Sequence, residues 1–513
     1  MNGAESLART LVASGVDTCF ANPGTSEMHF VSALDRVDGL RCVLGLAETV
    51  VAGCADGYAR MTGRPAATLL HCGPGLGNAI ANLHNAKRAH SPIVNIVGDH
   101  ATHHRQYDAP LAADVDALAR TVSTWVRTSA DAGSVGADAA AAVQAARTPP
   151  GGTATLILPA DCAWDDGGVP GEPLGPPVAS AVPTDAIREI ARSLRAGQAS
   201  MLVLSGAALS EAGLRAANRV AHATGAQLRT PTQVPRMVRG RGRVPVDRIP
   251  YVVDAAVKVL ESTRQLVLAG AKAPVGFFAY PGKPGTLWPK ECAVHTLANP
   301  GQDVVGALEA LADELSAPRD APVRDDVVQP ELHGGPFKPE AFGSTLAALL
   351  PENAVVAEDA VTSGRALFPF TWGAAPHDWI QVTGGAIGHA FPAATGAAVA
   401  CPGRKVVCLQ ADGAGMYSLQ ALWTQARERL DVVNVVFANR RYAILQGELA
   451  AVGAQPGPAS RELFDLARPE IRWTHLAEGM GVEAVRVETL EAFADAFASA
   501  AARRGPFLIE FLI

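Results

Sequence analysis

Lys405-Val-Val-Cys-Leu-Gln-Ala-Asp-Gly-Ala-Gly415 and, farther on, Val432-Val-Asn-Val-Val-Phe-Ala-Asn-Arg-Arg-Tyr442 decide how this chain folds. Lys405 to Gln410 is a short apolar run of the kind that forms a buried strand, and Val432 to Phe437 is a second. Between them, Ser418 to Leu430 carries Leu419, Leu422, Trp423 and Ala426 at helical spacing and closes on Arg427, Glu428 and Arg429. A strand, helix and strand of this length predict a right-handed parallel crossover. Asp412 and Asn439, 27 positions apart, then stand at the carboxyl ends of two parallel strands, where open α/β sheets bind ligands. One carboxylate, one amide oxygen and glycine-loosened backbone suit a hard divalent cation that keeps a phosphate in its shell. A magnesium-diphosphate site is the expectation, and a nucleotide site is equally compatible with these residues alone.

Working outward, 513 residues are too many for one core and predict two to four domains. A net charge of −7 with 18% charged residues is mild, so neither nucleic acid nor an anionic membrane is expected as a partner. No apolar run reaches membrane-spanning length and no basic-then-apolar leader opens the chain, which predicts a cytoplasmic protein. Eight cysteines lack a Cys-x-x-Cys pair, and Cys42, Cys54 and Cys408 fall in apolar segments, so buried free thiols are expected. Proline- and glycine-rich stretches at Asp165 to Pro177 and Ala317 to Pro336 divide the chain into segments 1–165, 184–316 and 337–513. Short apolar runs such as Ala67 to His71, Ile93 to Val97, Met201 to Leu204 and Gln265 to Leu268 alternate with alanine-rich helical patterns. The prediction is α/β: three domains, each a parallel sheet flanked by helices.

Other residues carry possible chemistry. Gly73-Pro-Gly-Leu-Gly-Asn78 reads as a strand-to-helix turn that either lets backbone approach a ligand or is only a tight corner. Glu48 is a carboxylate in the apolar stretch Leu44 to Tyr58, suited to proton transfer or, more plainly, to capping a helix or standing exposed in solvent. His103 and His104, with His100 nearby, lack a further ligand at zinc spacing and predict a polar loop.

Together these residues resemble the thiamine diphosphate-dependent decarboxylase and acetohydroxyacid synthase superfamily along nearly the whole chain. The resemblance is greatest to acetolactate synthase large-subunit-like proteins, with benzoylformate decarboxylase-like features. The family signature Gly-Asp-Gly with a later Asn is matched by Asp412, Gly413 and Asn439, while Ala411 replaces the first glycine. The resemblance implies that Asp412, Asn439 and the carbonyl of Arg441 hold Mg2+. Gly413, Ala414, Tyr442 and Asn78 would join them around thiamine diphosphate. Glu48, followed by Ala-Asp-Gly-Tyr-Ala-Arg at 55–60, matches the glutamate that bonds the pyrimidine ring and promotes ylid formation. In Thr383-Gly-Gly-Ala-Ile-Gly388, Ile387 would prop the cofactor in a bent shape and Gly385 would offer a carbonyl to its amino group. The three domains would then be pyrimidine-binding, central Rossmann-like and diphosphate-binding.

The departures bear on substrate. His71 and Thr25, the latter within Asn22-Pro-Gly-Thr25, stand where benzoylformate decarboxylase has a histidine and a substrate-facing serine. Pro110 and Leu111 replace a Phe-Gln pair of the synthases, Phe278 replaces a decarboxylase histidine, and Glu448 replaces an aromatic residue that selects substrate. Glu448 is expected to disfavour a large apolar acyl group and to pair with a cationic or hydroxylated substrate. Gly206, Gly270 and Gly276 to Gly285 form no dinucleotide fingerprint, so FAD is not expected. The implied activity is decarboxylation of a 2-oxo acid with carboligation, as in an acetolactate synthase large subunit. The alternatives are a simple decarboxylase of the benzoylformate type and a non-catalytic thiamine diphosphate-binding paralogue. Because Glu48 and the metal ligands fall in different domains, a homodimer or homotetramer with its active site at the subunit interface is implied.

Overall fold

Apolar, β-branched strands need cover on both faces, and this chain builds three such sheets. The computed structural model describes residues 1–324 and 326–513. The first sheet has six parallel strands in the order Arg41–Leu44, Thr18–Ala21, Ala66–Leu70, Ile93–Asp99, Thr153–Pro159 and Trp125–Thr128. The second has five, in the order Asp247–Arg248, Gln227–Thr230, Ser200–Leu204, Gln265–Ala269 and Ala293–Ala298. The third has seven: Glu483–Val487, Phe507–Leu512, Val432–Ala438, Val406–Ala411, Val355–Asp359, His377–Gln381 and Arg236–Arg239. The crossover predicted from the opening stretches is present, with Val406–Ala411 and Val432–Ala438 parallel and Ala411 opposite Phe437. Its helix is shorter than the periodicity implied, Ala421–Glu428, and stops at Arg429 in the left-handed conformation. No helix among the described residues is long and apolar enough to cross a membrane.

Two features tie the segments together. The helix Glu48–Thr62 packs against the helix Ala390–Ala400 at backbone distance. A Cβ on Gly57 would lie 2.1 Å from the Ala393 carbonyl oxygen, and one on Gly396 would lie 1.8 Å from that of Cys54. Glycine is therefore required on both helices for this contact, which fixes the Glu48 helix to the third sheet. The second feature is the strand Arg236–Arg239, which leaves the middle segment and pairs antiparallel with His377–Gln381. Arg239 on this strand is fully buried, and among the described residues no carboxylate forms a salt bridge with it. Its guanidinium lies 3.5 Å from the Phe368 ring centroid and 3.9 Å from that of Trp372, and it donates to Thr371 Oγ1 and the Phe368 carbonyl.

His377, opposite Arg239, has an acid-sensitive role. Burial, and then the Arg239 charge, lower its pKa from 6.5 to about 4. A depressed folded-state value means that its contribution is intact above the unfolded-state value near 6.5 and is lost as pH falls towards 4, by up to about 3 kcal/mol. The urea midpoint of the wild type should therefore drop more between pH 7.5 and pH 4.5 than that of His377→Phe. Parallel losses in the two proteins would refute this assignment.

All eight cysteines are free. Cys54 and Cys408 are buried as expected, but Cys42 is exposed because its strand lies at the open edge of the first sheet.

Candidate active site

Asp412 follows the strand Val406–Ala411 directly and is buried. Its Oδ1 accepts from the Gly413 amide at 2.8 Å and its Oδ2 from the Arg440 amide at 2.7 Å, which leaves each oxygen one further lone pair. Burial raises its pKa, against the pull of these amides. Asn439 is half-buried at the end of the adjacent strand, and its Oδ1 accepts from the Arg441 amide at 3.0 Å. The Arg441 carbonyl accepts from Ala443 N at 3.0 Å. A Cβ on Gly413 would come within 2.4 Å of the Tyr442 ring, so glycine is needed where this ring closes on the turn. Ala414 continues the turn beside it. Among the described residues no lysine or arginine side chain forms a salt bridge with Asp412, so this buried carboxylate has no ion-pair partner and feels the Arg440 charge only from a distance. That, with a second hard oxygen donor at Asn439, fits a divalent cation carrying a diphosphate.

The Thr383 to Gly388 turn lies beside the third sheet. Gly385 is exposed with φ +75°, and Ile387 is half-buried outside the hydrophobic cores. Asn85 holds the turn by donating to the Ala386 carbonyl (2.8 Å) and accepting from Gly384 N (3.1 Å). Behind the turn, Asp359 Oδ2 accepts from the amides of Gly388 and His389, while its Oδ1 has no partner. Burial pushes the Asp359 carboxyl up to about 6.

A second set of residues lies at the first sheet. Glu48 opens the helix Glu48–Thr62 and is 9% exposed. It is no cap, because its Oε2 accepts from the Asn78 side chain at 3.1 Å. Here one expectation is corrected. Gly73 to Asn78 is not a turn ahead of the helix but the first turns of the helix Cys72–Ala89 itself. The glycines serve close packing: a Cβ on Gly75 would sit 3.0 Å from Glu48 Oε1, and one on Gly73 would sit 2.5 Å from the Ala113 methyl.

His71 precedes that helix. Its Nδ1 lies 3.0 Å from Glu27 Oε2, and Glu27 is itself buried and accepts from the Gly24 amide at 2.8 Å. Ser26 bonds Glu27 and approaches His71 Nδ1 (3.2 Å) and Cys72 Sγ (3.2 Å). Thr25 is exposed at the start of the same short turn. Glu27 was not anticipated, since Gly24 to Glu27 has the pattern of a local capping turn and nothing in it announces a histidine 44 positions away. His100, His103 and His104 lie in the turns after Ile93–Asp99, as a polar loop.

Behind both sets lies a buried cluster. Asp56 accepts from Arg60 Nε (2.8 Å) and Nη2 (2.6 Å), from Ser91, and from His389 Nε2 (2.8 Å). Burial would raise the Asp56 carboxyl, but the Arg60 charge and the His389 bond hold it down at about 2. Burial and the Arg60 charge keep His389 neutral, so its Nε2–H is the donor. Arg60 also donates to the Gln381 carbonyl and to Thr383 Oγ1 (3.0 Å), joining the Glu48 helix to the Gly385 turn. The signal was present as an Asp and an Arg four apart in an apolar helix, a pair that must be matched if buried.

A fold of parallel sheets with an oxygen-donor turn on one sheet and a buried glutamate on another defines a cofactor-dependent α/β enzyme, and comparison with known proteins gives the family. The chain belongs to the thiamine pyrophosphate (thiamine diphosphate) enzymes. Residues 1–119 match the thiamine pyrophosphate enzyme N-terminal TPP binding domain, and residues 359–511 match the C-terminal TPP binding domain. It is 50% identical, over 100% of this chain and 99% of that one, to a Mycobacterium tuberculosis protein provisionally assigned as acetolactate synthase large subunit IlvX. It is 29% identical to benzoylformate decarboxylase of Pseudomonas aeruginosa, covering 97% and 96% of the two chains. The solved Rhodococcus jostii thiamine diphosphate-dependent 4-hydroxybenzoylformate decarboxylase superposes with a TM-score of 0.88 at 26% identity, covering 99% and 98%.

Proposed function

We propose that this enzyme uses thiamine diphosphate and Mg2+ to decarboxylate a 2-oxo acid and joins the remaining acyl unit to a second carbonyl compound, as an acetolactate synthase does. The observation that carries the proposal is the combination of the buried Asp412 carboxylate, which has no ion-pair partner among the described residues, beside Asn439 with the non-capping Glu48. Asp412, Asn439 and the Arg441 carbonyl would hold the cation. The Gly413 turn and Tyr442 would enclose the diphosphate. Gly385 and Ile387 would receive the rings, and Glu48, kept in place by Asn78, would exchange a proton with the pyrimidine nitrogen. When bound, the cofactor supplies the carbon nucleophile and electron sink for loss of carbon dioxide. No hydrogen bond or salt bridge joins the Glu48 set to the Asp412 set among the described residues, and Leu46, Tyr417 and Leu445 are exposed near the two sets. A second copy would complete the site and cover them, in a homodimer or homotetramer.

A second reading, release of the acyl unit as an aldehyde, is supported by the His71–Glu27 pair. His71 is partly exposed and oriented by a buried carboxylate, which suits it to deliver a proton. The test is carbon dioxide release from pyruvate, 2-oxobutyrate and benzoylformate with both cofactors present, with carboligated products and aldehydes analysed together. Acetolactate-type products are the expected result. Aldehyde alone would favour the second reading, and no release from a broad 2-oxo acid panel would leave a binding-only protein.

A further inference from the structure

Glu448 lies on the helix Ala443–Ala451, directly after the Asn439 to Tyr442 turn. Both of its carboxylate oxygens are taken by phenols of the middle segment. Tyr251 donates to Oε1 at 3.0 Å and Tyr280 to Oε2 at 2.7 Å. The Tyr251 ring packs on Phe277 with centroids 5.3 Å apart, and Phe277 Cζ lies 2.9 Å from where a Cβ on Gly385 would stand. The three polar residues therefore form a wall continuous with the Gly385 turn. Arg365 stacks 4.8 Å above the Tyr251 ring.

The hydrogen-bond inventory of this wall is one-sided. A phenol has one proton and a carboxylate none. Both phenol protons are committed to Glu448, and burial, followed by the bond to Glu448, raises both phenols so that they keep those protons. Every polar valence left on these three residues is a lone pair, and the Arg365 guanidinium over Tyr251 is the neighbouring positive charge. The triad accepts from a hydroxyl and offers nothing to a plain alkyl group. Glu448 is thus one corner of an acceptor triad, and the Arg365 charge already beside it disfavours a second cation there.

We infer that Glu448, Tyr251 and Tyr280 select a 2-oxo acid whose acyl substituent carries a hydroxyl group, an inference that rests on the 2-oxo acid reading above. The test uses the enzyme loaded with thiamine diphosphate and Mg2+. Binding of 2-hydroxybutyrate and 2,4-dihydroxybutyrate, which cannot be decarboxylated as 2-oxo acids are, is followed by intrinsic fluorescence. Carbon dioxide release from 2-oxobutyrate and 4-hydroxy-2-oxobutyrate is measured in parallel. A hydrogen bond to a charged acceptor should make the additional hydroxyl worth about 10- to 100-fold in binding and in kcat/KM. Glu448→Leu should abolish that preference, and Glu448→Gln should reduce it. Tyrosinate absorbance should also move to lower pH in Glu448→Leu, a readout independent of turnover. Equal binding of the pair by the wild type, an undiminished preference in Glu448→Leu, or an unmoved tyrosine titration would overturn the inference. A binding preference without carbon dioxide release from either acid would instead overturn the proposed reaction and support the recognition.

Discussion

Glu48→Gln is expected to lower turnover by about 10²- to 10⁴-fold, the range for removal of a positioned proton-transfer group, while thiamine diphosphate remains bound. The local geometry makes this a clean substitution. The amide oxygen of glutamine can still accept from Asn78, which now bonds Glu48 at 3.1 Å, and the helix beneath is fixed by Gly57 and Gly396 against its neighbour. Packing is therefore preserved and the exchangeable carboxylate proton is removed. Cofactor affinity measured by fluorescence quenching, alongside carbon dioxide release, separates the two effects. A fully active Glu48→Gln enzyme would exclude the proposed role, and loss of cofactor binding would make Glu48 a binding residue instead.

Asp56→Ala should destabilise the protein by about 3–5 kcal/mol, because it leaves the Arg60 guanidinium buried without its partner and removes the acceptor of His389. With a folded-state pKa of about 2, below the ordinary 3.8, the Asp56 contribution is fully present above pH 3.8 and disappears as pH falls through 2. The loss should therefore be undiminished at neutral pH. The unfolding midpoint in urea is the appropriate measure, since a chain with three sheets need not unfold in one step. Replacing Asp56 and Arg60 together by leucine should recover part of the loss, because a matched apolar pair leaves no stranded charge between them. An unchanged midpoint for Asp56→Ala would show that the cluster is not a structural joint between the Glu48 helix and the third sheet.

Much of the candidate site was legible in the sequence because its groups are announced by local pattern. Asp412 and Asn439 each end a strand whose run of apolar residues is visible without any partner, and the register between those strands did the rest. Glu48 stood out as a charge in an apolar stretch. What was missed depends on distant pairing. Glu27 and His71 are 44 positions apart, and Tyr251 and Tyr280 reach Glu448 across 197 and 168 positions. The Gly73 to Asn78 segment reads in sequence as a strand-to-helix turn because glycine marks both turns and close helix contacts, and only the presence of Ala113 and the Glu48 carboxylate shows which applies.

The sequence by itself determined the three α/β sheets and singled out the candidate oxygen-donor turn and the glutamate in its apolar stretch, since periodicity and residue chemistry act over short spans. Only the tertiary structure decided that Arg236–Arg239 would leave the middle segment for the edge of the third sheet, that Arg60 would join the Glu48 helix to the Gly385 turn, and that Glu448 would have both oxygens occupied. Each of these depends on where buried charges and unpaired strand edges find partners. That choice is made by the packed fold as a whole, because a polar group withdrawn from water must be matched by whichever segment the packing brings beside it.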